Sequence, residues 1–293
     1  SHDQVEAVLM RRAGFEVRVI PFETGSFEGN PPTVSDFIRR EKRWCRGNLQ
    51  YLSLLSMPGL LPVSRFQIVS AIAMYLAAPA WMIMTATILY KVLSGETAVR
   101  ADIGISLFLI MVGISLAPKA VGLTAFLSGR SLSGGRGTGW RRTAALVRDG
   151  IGETLFSMIL SPVVAFSLTL HVGRLLLTWL GQVLPSIFGV RYMTAFSISR
   201  PGSVWSSQNR SLRVVSWRAA MEEFWPHTGF GLLIGAASVL QLGWPGAAWI
   251  MPISISLSLS IPFAVMTTRS WLHDGFRNHG VFSLGEFRDI DPA

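Results

Sequence analysis

From Phe66 to Tyr90 the chain carries no charged residue, which is enough helix to cross about 30 Å of hydrocarbon. That run restricts the fold more than any other feature: in lipid every backbone polar group must be satisfied within a helix or a closed barrel. Three further runs read as spans, at about 103–127 (interrupted by Lys119), 228–244 and 246–267. The last contains "ISISLSLS", whose period of two suggests a strand. Its length and flanks instead predict a membrane helix whose serines bond back to the carbonyls of the preceding turn. Composition agrees, since 50% of residues are apolar and only 15% charged, well below the roughly one quarter charged of a soluble domain.

The net charge of +9 is concentrated in the loops. Arginines cluster in 128–150, 191–226 and the tail, and all three belong on the cytoplasmic side because basic residues near span ends are retained there. Such charge suits anionic lipid or anionic substrates; it forms no soluble basic face, so nucleic acid is the weaker reading. Residues 151–187 then lie between two cytoplasmic loops, which disfavours a single crossing. They are expected as interfacial or re-entrant helices broken near Pro162, the alternative being two short tilted spans. The resulting expectation is a mainly α protein of polytopic membrane helices with interfacial helices, preceded by the C-terminal end of an α/β domain. Its parts are 1–56, cytoplasmic with an interfacial helix; 57–268, transmembrane and interfacial; and 269–293, a cytoplasmic tail.

The single cysteine, Cys45, excludes an internal disulfide and a cysteine metal cluster. The start, "SHDQVEAVLMRRAGFEV", reads as the middle of a domain with no leader, so the chain is expected to be the C-terminal part of a longer protein. Residues 4–13 have helical spacing, Gly14 suits a C-terminal cap, and "FEVRVIPF" alternates like an edge strand. Thr33 with Asp36 resembles a capping box opening a helix through about residue 56. On that helix Arg40, Arg43, Trp44 and Gly47 share one face.

Arginine beside tryptophan suits a ligand with phosphate and sugar, the guanidinium gripping phosphate oxygens and the indole offering its flat face to a pyranose. Lipid anchoring at the membrane boundary is the plainer reading of the same residues. Lys119, about 12 Å inside its span at 1.5 Å per residue, either snorkels or lines a polar path. His171, His227, His273 and His279 show no metal spacing.

"SHDQVEAVLMRRAGFEV", "GSFEGNPPTVSDFIRREKRWCRGNLQ" and the span that follows resemble the end of the catalytic domain of processive inverting glycosyltransferases of the cellulose synthase type. More closely they resemble the bacterial glucosyltransferases that build osmoregulated periplasmic glucans. The resemblance is specific over residues 1–56 and looser through "APKAVGL", "LFSMILSPV" and "VWSSQ". It implies that Asp3, otherwise an ordinary N-cap, is the catalytic base. It implies too that Arg43 and Trp44 are the Arg-Trp of the family's Gln-x-x-Arg-Trp motif, holding donor diphosphate and acceptor sugar. Arg40 stands where cellulose synthases have glutamine and could add charge against the leaving diphosphate. The loop "FSISRPGSVWSSQNR" stands in the place of the family's gating loop, either as a plain solvated loop or with Trp205, Ser206 and Gln208 approaching the nucleotide. The family's divalent ion, Mg2+ or Mn2+, would be held by an Asp-x-Asp motif upstream, so this stretch alone should not catalyse transfer. UDP-glucose, a growing glucan, membrane lipid and acyl carrier protein are the implied partners, and the bacterial inner membrane the implied location, with catalysis on the cytoplasmic side. A cellulose, hyaluronan or chitin synthase, or a transporter subunit without chemistry, are the competing readings.

Overall fold

The computed structural model describes residues 2–18, 31–94, 101–127, 140–187, 213–248 and 250–278. All regular structure among them is helical. Helix α1, His2–Arg12, ends as its sequence dictates: Gly14 takes φ +88°, Phe15 N–H bonds Met10 C=O and Gly14 N–H bonds Arg11 C=O. This is the Schellman closure that glycine permits without steric cost. Phe15–Arg18 then run without pairing to any described strand, and the rest of the expected edge strand lies outside the described residues.

Helix α2, Val34–Leu49, begins at the expected cap and tightens into a 3-10 turn, Gln50–Leu54. It therefore stops earlier than residue 56. Helix α3, Pro62–Leu93, opens on a proline, whose missing N–H costs nothing in a first turn. Helix α4, Ala101–Leu127, and helix α5, Trp140–Ile187, follow. Helix α5 corrects the expectation of a break at Pro162: it is one helix of 48 residues, about 72 Å long at 1.5 Å per residue. The proline removes one backbone bond, yet Val163 is buried in the core and Leu160 and Val164 pack against it, and the helix continues through that position.

Helix α6, Trp217–Ala247, is kinked at Gly243 (φ 65°, ψ 178°), a conformation open to glycine. The last expected span is two short helices, α7 (Met251–Ser258) and α8 (Ser260–Met266), interrupted at Leu259. Its serines also depart from expectation. Ser254 donates to Gly231 C=O at 2.8 Å, Ser256 donates to Ile159 C=O, and Ser260 meets Thr228 at 3.1 Å. They bond across to α5 and α6 instead of back along their own helix, because α7 and the start of α8 lie close enough for their hydroxyls to reach. Helix α9, Ser270–Asn278, closes the described chain.

The main core gathers Ile38, Val163, Phe224, Ile234, Leu257 and Val265, so that α2, α5, α6, α7 and α8 meet around Phe224. Two helical segments, Pro62–Lys91 and Thr143–Gly181, are long and apolar enough to cross a membrane, and α4 adds a shorter apolar stretch, Leu109–Ala125. Large apolar side chains such as Phe66, Ile114, Leu177 and Leu240 face outward, an arrangement that suits lipid contact.

Candidate functional site

The site is organised by the first turn of α2. Thr33 Oγ1 accepts from Asp36 N–H at 3.0 Å and donates to Asp36 Oδ2 at 2.7 Å. Asp36 is only 5% exposed. Its other oxygen takes Arg213 Nη2 at 2.9 Å and Arg39 Nη2 at 3.3 Å. A residue legible in the sequence as a cap thus also ties α2 to the segment that leads into α6. The sequence pattern could not show this, since Arg213 is 177 positions away.

One turn on, the guanidinium of Arg40 stacks over Phe37 (4.8 Å to the centroid) and Trp44 (4.6 Å). It also pairs with Glu41 at 3.2 Å. Glu41 in turn accepts from Tyr75 Oη at 3.3 Å, joining α2 to α3. Arg40 is thereby held by two rings and a carboxylate, and its cation–π contact, about 0.5–1 kcal/mol at an exposed site, fixes the Trp44 indole. Trp44 remains 42% exposed, and Arg43 beside it is exposed as well. The face inferred from helical spacing is therefore present: a stacked indole with arginines on either side. Behind it, Cys45 is fully buried among Tyr75, Leu168 and Val172. Burial and the neighbouring Glu41 push its thiol up to about 11.

Asp3 lies in the first turn of α1, exposed and paired with His2 at 3.0 Å. Its helix is anchored elsewhere, through Val8 in a cluster with Tyr51, Leu60 and Ile68, and through Arg12 Nε donating to Pro58 C=O at 2.8 Å. No described hydrogen bond or ion pair joins Asp3 to the Arg40–Trp44 face. Trp205 and Gln208 lie outside the described residues.

Lys119 points across to α5, where Nζ donates to Thr154 Oγ1 at 2.9 Å and pairs with Glu153 at 3.4 Å. These groups line a cleft of about 440 Å³ between α4, α5 and α7, together with Ser115, Ser157 and Ser161. Helical spacing on two helices produces this polar strip, and only their packing brings it to one side. A further polar contact that sequence reasoning missed joins the buried Ser167 and His227 Nε2 at 2.7 Å, inside an aromatic setting of Phe166 and Phe224. Among the described residues no three His, Cys, Asp or Glu side chains converge to hold a metal ion.

Comparison with known proteins matches residues 6–123 to the family described as Glycosyl transferase family group 2. That stretch is similar to the family 2 glycosyltransferases. Along 308 aligned residues it is 28% identical to Glucans biosynthesis glucosyltransferase H of Xanthomonas euvesicatoria pv. vesicatoria (strain 85-10), covering 100% of the chain and 43% of that relative. It is likewise 28% identical to the protein of the same name from Xanthomonas oryzae pv. oryzae (strain MAFF 311018), again over 100% of the chain and 43% of the relative. The counterpart in Shewanella sp. (strain ANA-3) is 28% identical, over 100% of the chain and 39% of its own length. The chain thus spans less than half the length of these relatives. No solved structure matches it.

Proposed function

We propose that this chain is the membrane-proximal, C-terminal part of an inverting glucosyltransferase of the bacterial inner membrane, which polymerises glucose from UDP-glucose into a periplasmic β-glucan backbone and assists its export. The observation that carries the reading is the Arg40–Trp44 face, an indole held flat by a stacked guanidinium, in a chain similar along its whole length to proteins named glucosyltransferase H. Trp44 offers a sugar ring the apolar surface that carbohydrate binding needs, and exposed Arg43 offers bidentate hydrogen bonds to the donor's diphosphate.

In the reaction the acceptor hydroxyl oxygen attacks the anomeric carbon while its proton passes to the Asp3 carboxylate. The carbon–oxygen bond to UDP breaks with its electron pair leaving on the diphosphate, so one displacement inverts the centre. One carboxylate suffices. Arg40 and Arg43 place positive charge where the leaving diphosphate gains negative charge. The divalent ion expected from the family, Mg2+ or Mn2+, would take its ligands upstream of this chain. The cleft of Lys119, Glu153, Thr154 and the three serines sets a strip of polar groups against the apolar Leu116, Met158 and Ile253, a mixed surface that suits a glucan's hydroxyls and ring faces.

The test is UDP release from UDP-glucose by the full-length protein in membranes. Asp3→Asn is expected to abolish turnover, and near-normal turnover would remove Asp3 as the base. Trp44→Ala is expected to raise the acceptor requirement or shorten the product, whereas unchanged product lengths would refute sugar stacking at that indole.

A further inference from the structure

A second group of cations sits on the far side of α2 from the Arg–Trp face. At 100° per residue Lys42 lies about 160° around the helix from both Arg40 and Trp44. On this side Cys45 packs on Leu168 and Val172 of α5, which turns Lys42 and Arg46 toward the part of that helix that carries His171 and Arg174. The four act on one another electrostatically: Lys42, Arg46 and Arg174 all bear on His171, and Arg174 and Arg39 on Lys42. Glu223 of α6 is the acid that acts on Lys42 among the described residues.

The charges do not balance. Arg39 is committed to Asp36 at 3.3 Å, and Arg46 has contacts of its own. Lys42 and Arg174 form no ion pair with a described carboxylate. His171 Nε2 is buried, with no hydrogen-bond partner among the described residues. Burial lowers the proton affinity of Lys42 more than Glu223 restores it. Lys42 is held half-buried beside the exposed Arg174 at a cost, since removing a cation from water is expensive unless an anion compensates it.

We propose that the junction of α2, α5 and α6 binds a phosphate-bearing anion, with Lys42 and Arg174 as its cationic donors and His171 Nε2 as a third. Arginine grips phosphate oxygens with paired N–H groups and lysine acts as a point charge. An imidazole nitrogen donates either as the Nε2–H tautomer or as imidazolium. Position beside the apolar segment Thr143–Gly181 suits the headgroup of an anionic phospholipid, for which basic pockets between helices are a known kind of site; a soluble diphosphate offers the same oxygens. The proposal goes beyond glucosyl transfer and does not depend on it.

The experiment uses the full-length protein and two probes. Phosphatidylglycerol retention is measured by native mass spectrometry after purification from mixed phosphatidylglycerol and phosphatidylcholine, and inorganic pyrophosphate binding by titration calorimetry. Lys42→Gln with Arg174→Gln is expected to weaken binding at least tenfold in one arm, and the affected arm identifies the source of the phosphate. The charge-conserving pair Lys42→Arg with Arg174→Lys is expected to keep most of it. Binding of neither probe by the unaltered protein, or equal binding by the Gln pair in both arms, would overturn the proposal. Should the Gln pair fail to fold, the unaltered protein decides: its binding must weaken as salt rises, and salt-independent binding would overturn the assignment.

Discussion

Helix α6 carries three glycines within seven residues that should respond to the same substitution with opposite sign. A Cβ at Gly229 would meet nothing within 4 Å, so Gly229→Ala gains helix propensity alone and should stabilise by about 0.5–1 kcal/mol. A Cβ at Gly231 would lie 2.5 Å from Ser258 N and 2.8 Å from Leu257 Cβ. Both neighbours belong to α7, and one is backbone, so the two helices must separate. Overpacking of this kind costs about 1–3 kcal/mol; the Ser254 to Gly231 hydrogen bond that bridges the same pair is worth about 1 kcal/mol more. Subtracting the propensity gain leaves Gly231→Ala destabilising by about 1–3 kcal/mol. Gly235→Ala collides with Ser254 Oγ, the end of a short side chain. Ser254→Ala should therefore relieve part of its cost, giving a coupling energy of roughly 0.5–2 kcal/mol in a double-mutant cycle. The assay is thermal unfolding in detergent followed by tryptophan fluorescence. If Gly231→Ala melts at or above the temperature of Gly229→Ala, the close approach of α6 to α7 through Gly-x-x-x-Gly is wrong.

Asp36→Asn preserves shape but removes the charge that Arg213, Arg39 and Thr33 address. Both arginines are about half exposed, so the loss should be about 1–2 kcal/mol and not the full value of a buried pair; an unfolding midpoint unchanged by the substitution would refute the anchor. Cys45 should resist alkylation at pH 8 in the folded protein, because a shift of its thiol from 9.0 to about 11 leaves roughly 100-fold less thiolate; rapid labelling before unfolding would refute its burial. The same shift has a sign for stability. The unfolded thiol ionises above about 9 while the folded one does not, so stability should fall with rising pH between 9.0 and about 11, a slope that Cys45→Ala removes.

The local features were legible because their causes are local. The Gly14 closure of α1, the Thr33–Asp36 cap of α2, the apolar α3 and the shared face of Arg40 and Trp44 each depend on residues a few positions apart. Pro162 was misread because a proline announces the loss of one backbone bond, whereas the core contacts of Leu160, Val163 and Val164 are made with other helices. The serines of α7 were misread for the same reason: their period says which hydroxyls share a face but not which helix lies opposite.

By itself, then, the sequence determined that the chain is helical and apolar enough for a membrane, where several helices begin and end, and which aromatic and cations stand together on α2. Tertiary structure alone decided that Asp36 holds Arg213, that Lys119 meets Glu153 and Thr154 across a cleft, and that Cys45 of α2 packs on Leu168 and Val172 of α5. The division follows from range. Hydrogen bonding and side-chain periodicity act over one or two turns and are written in neighbouring residues, whereas pairing between charges far apart in the chain exists only once packing has chosen which helix faces meet.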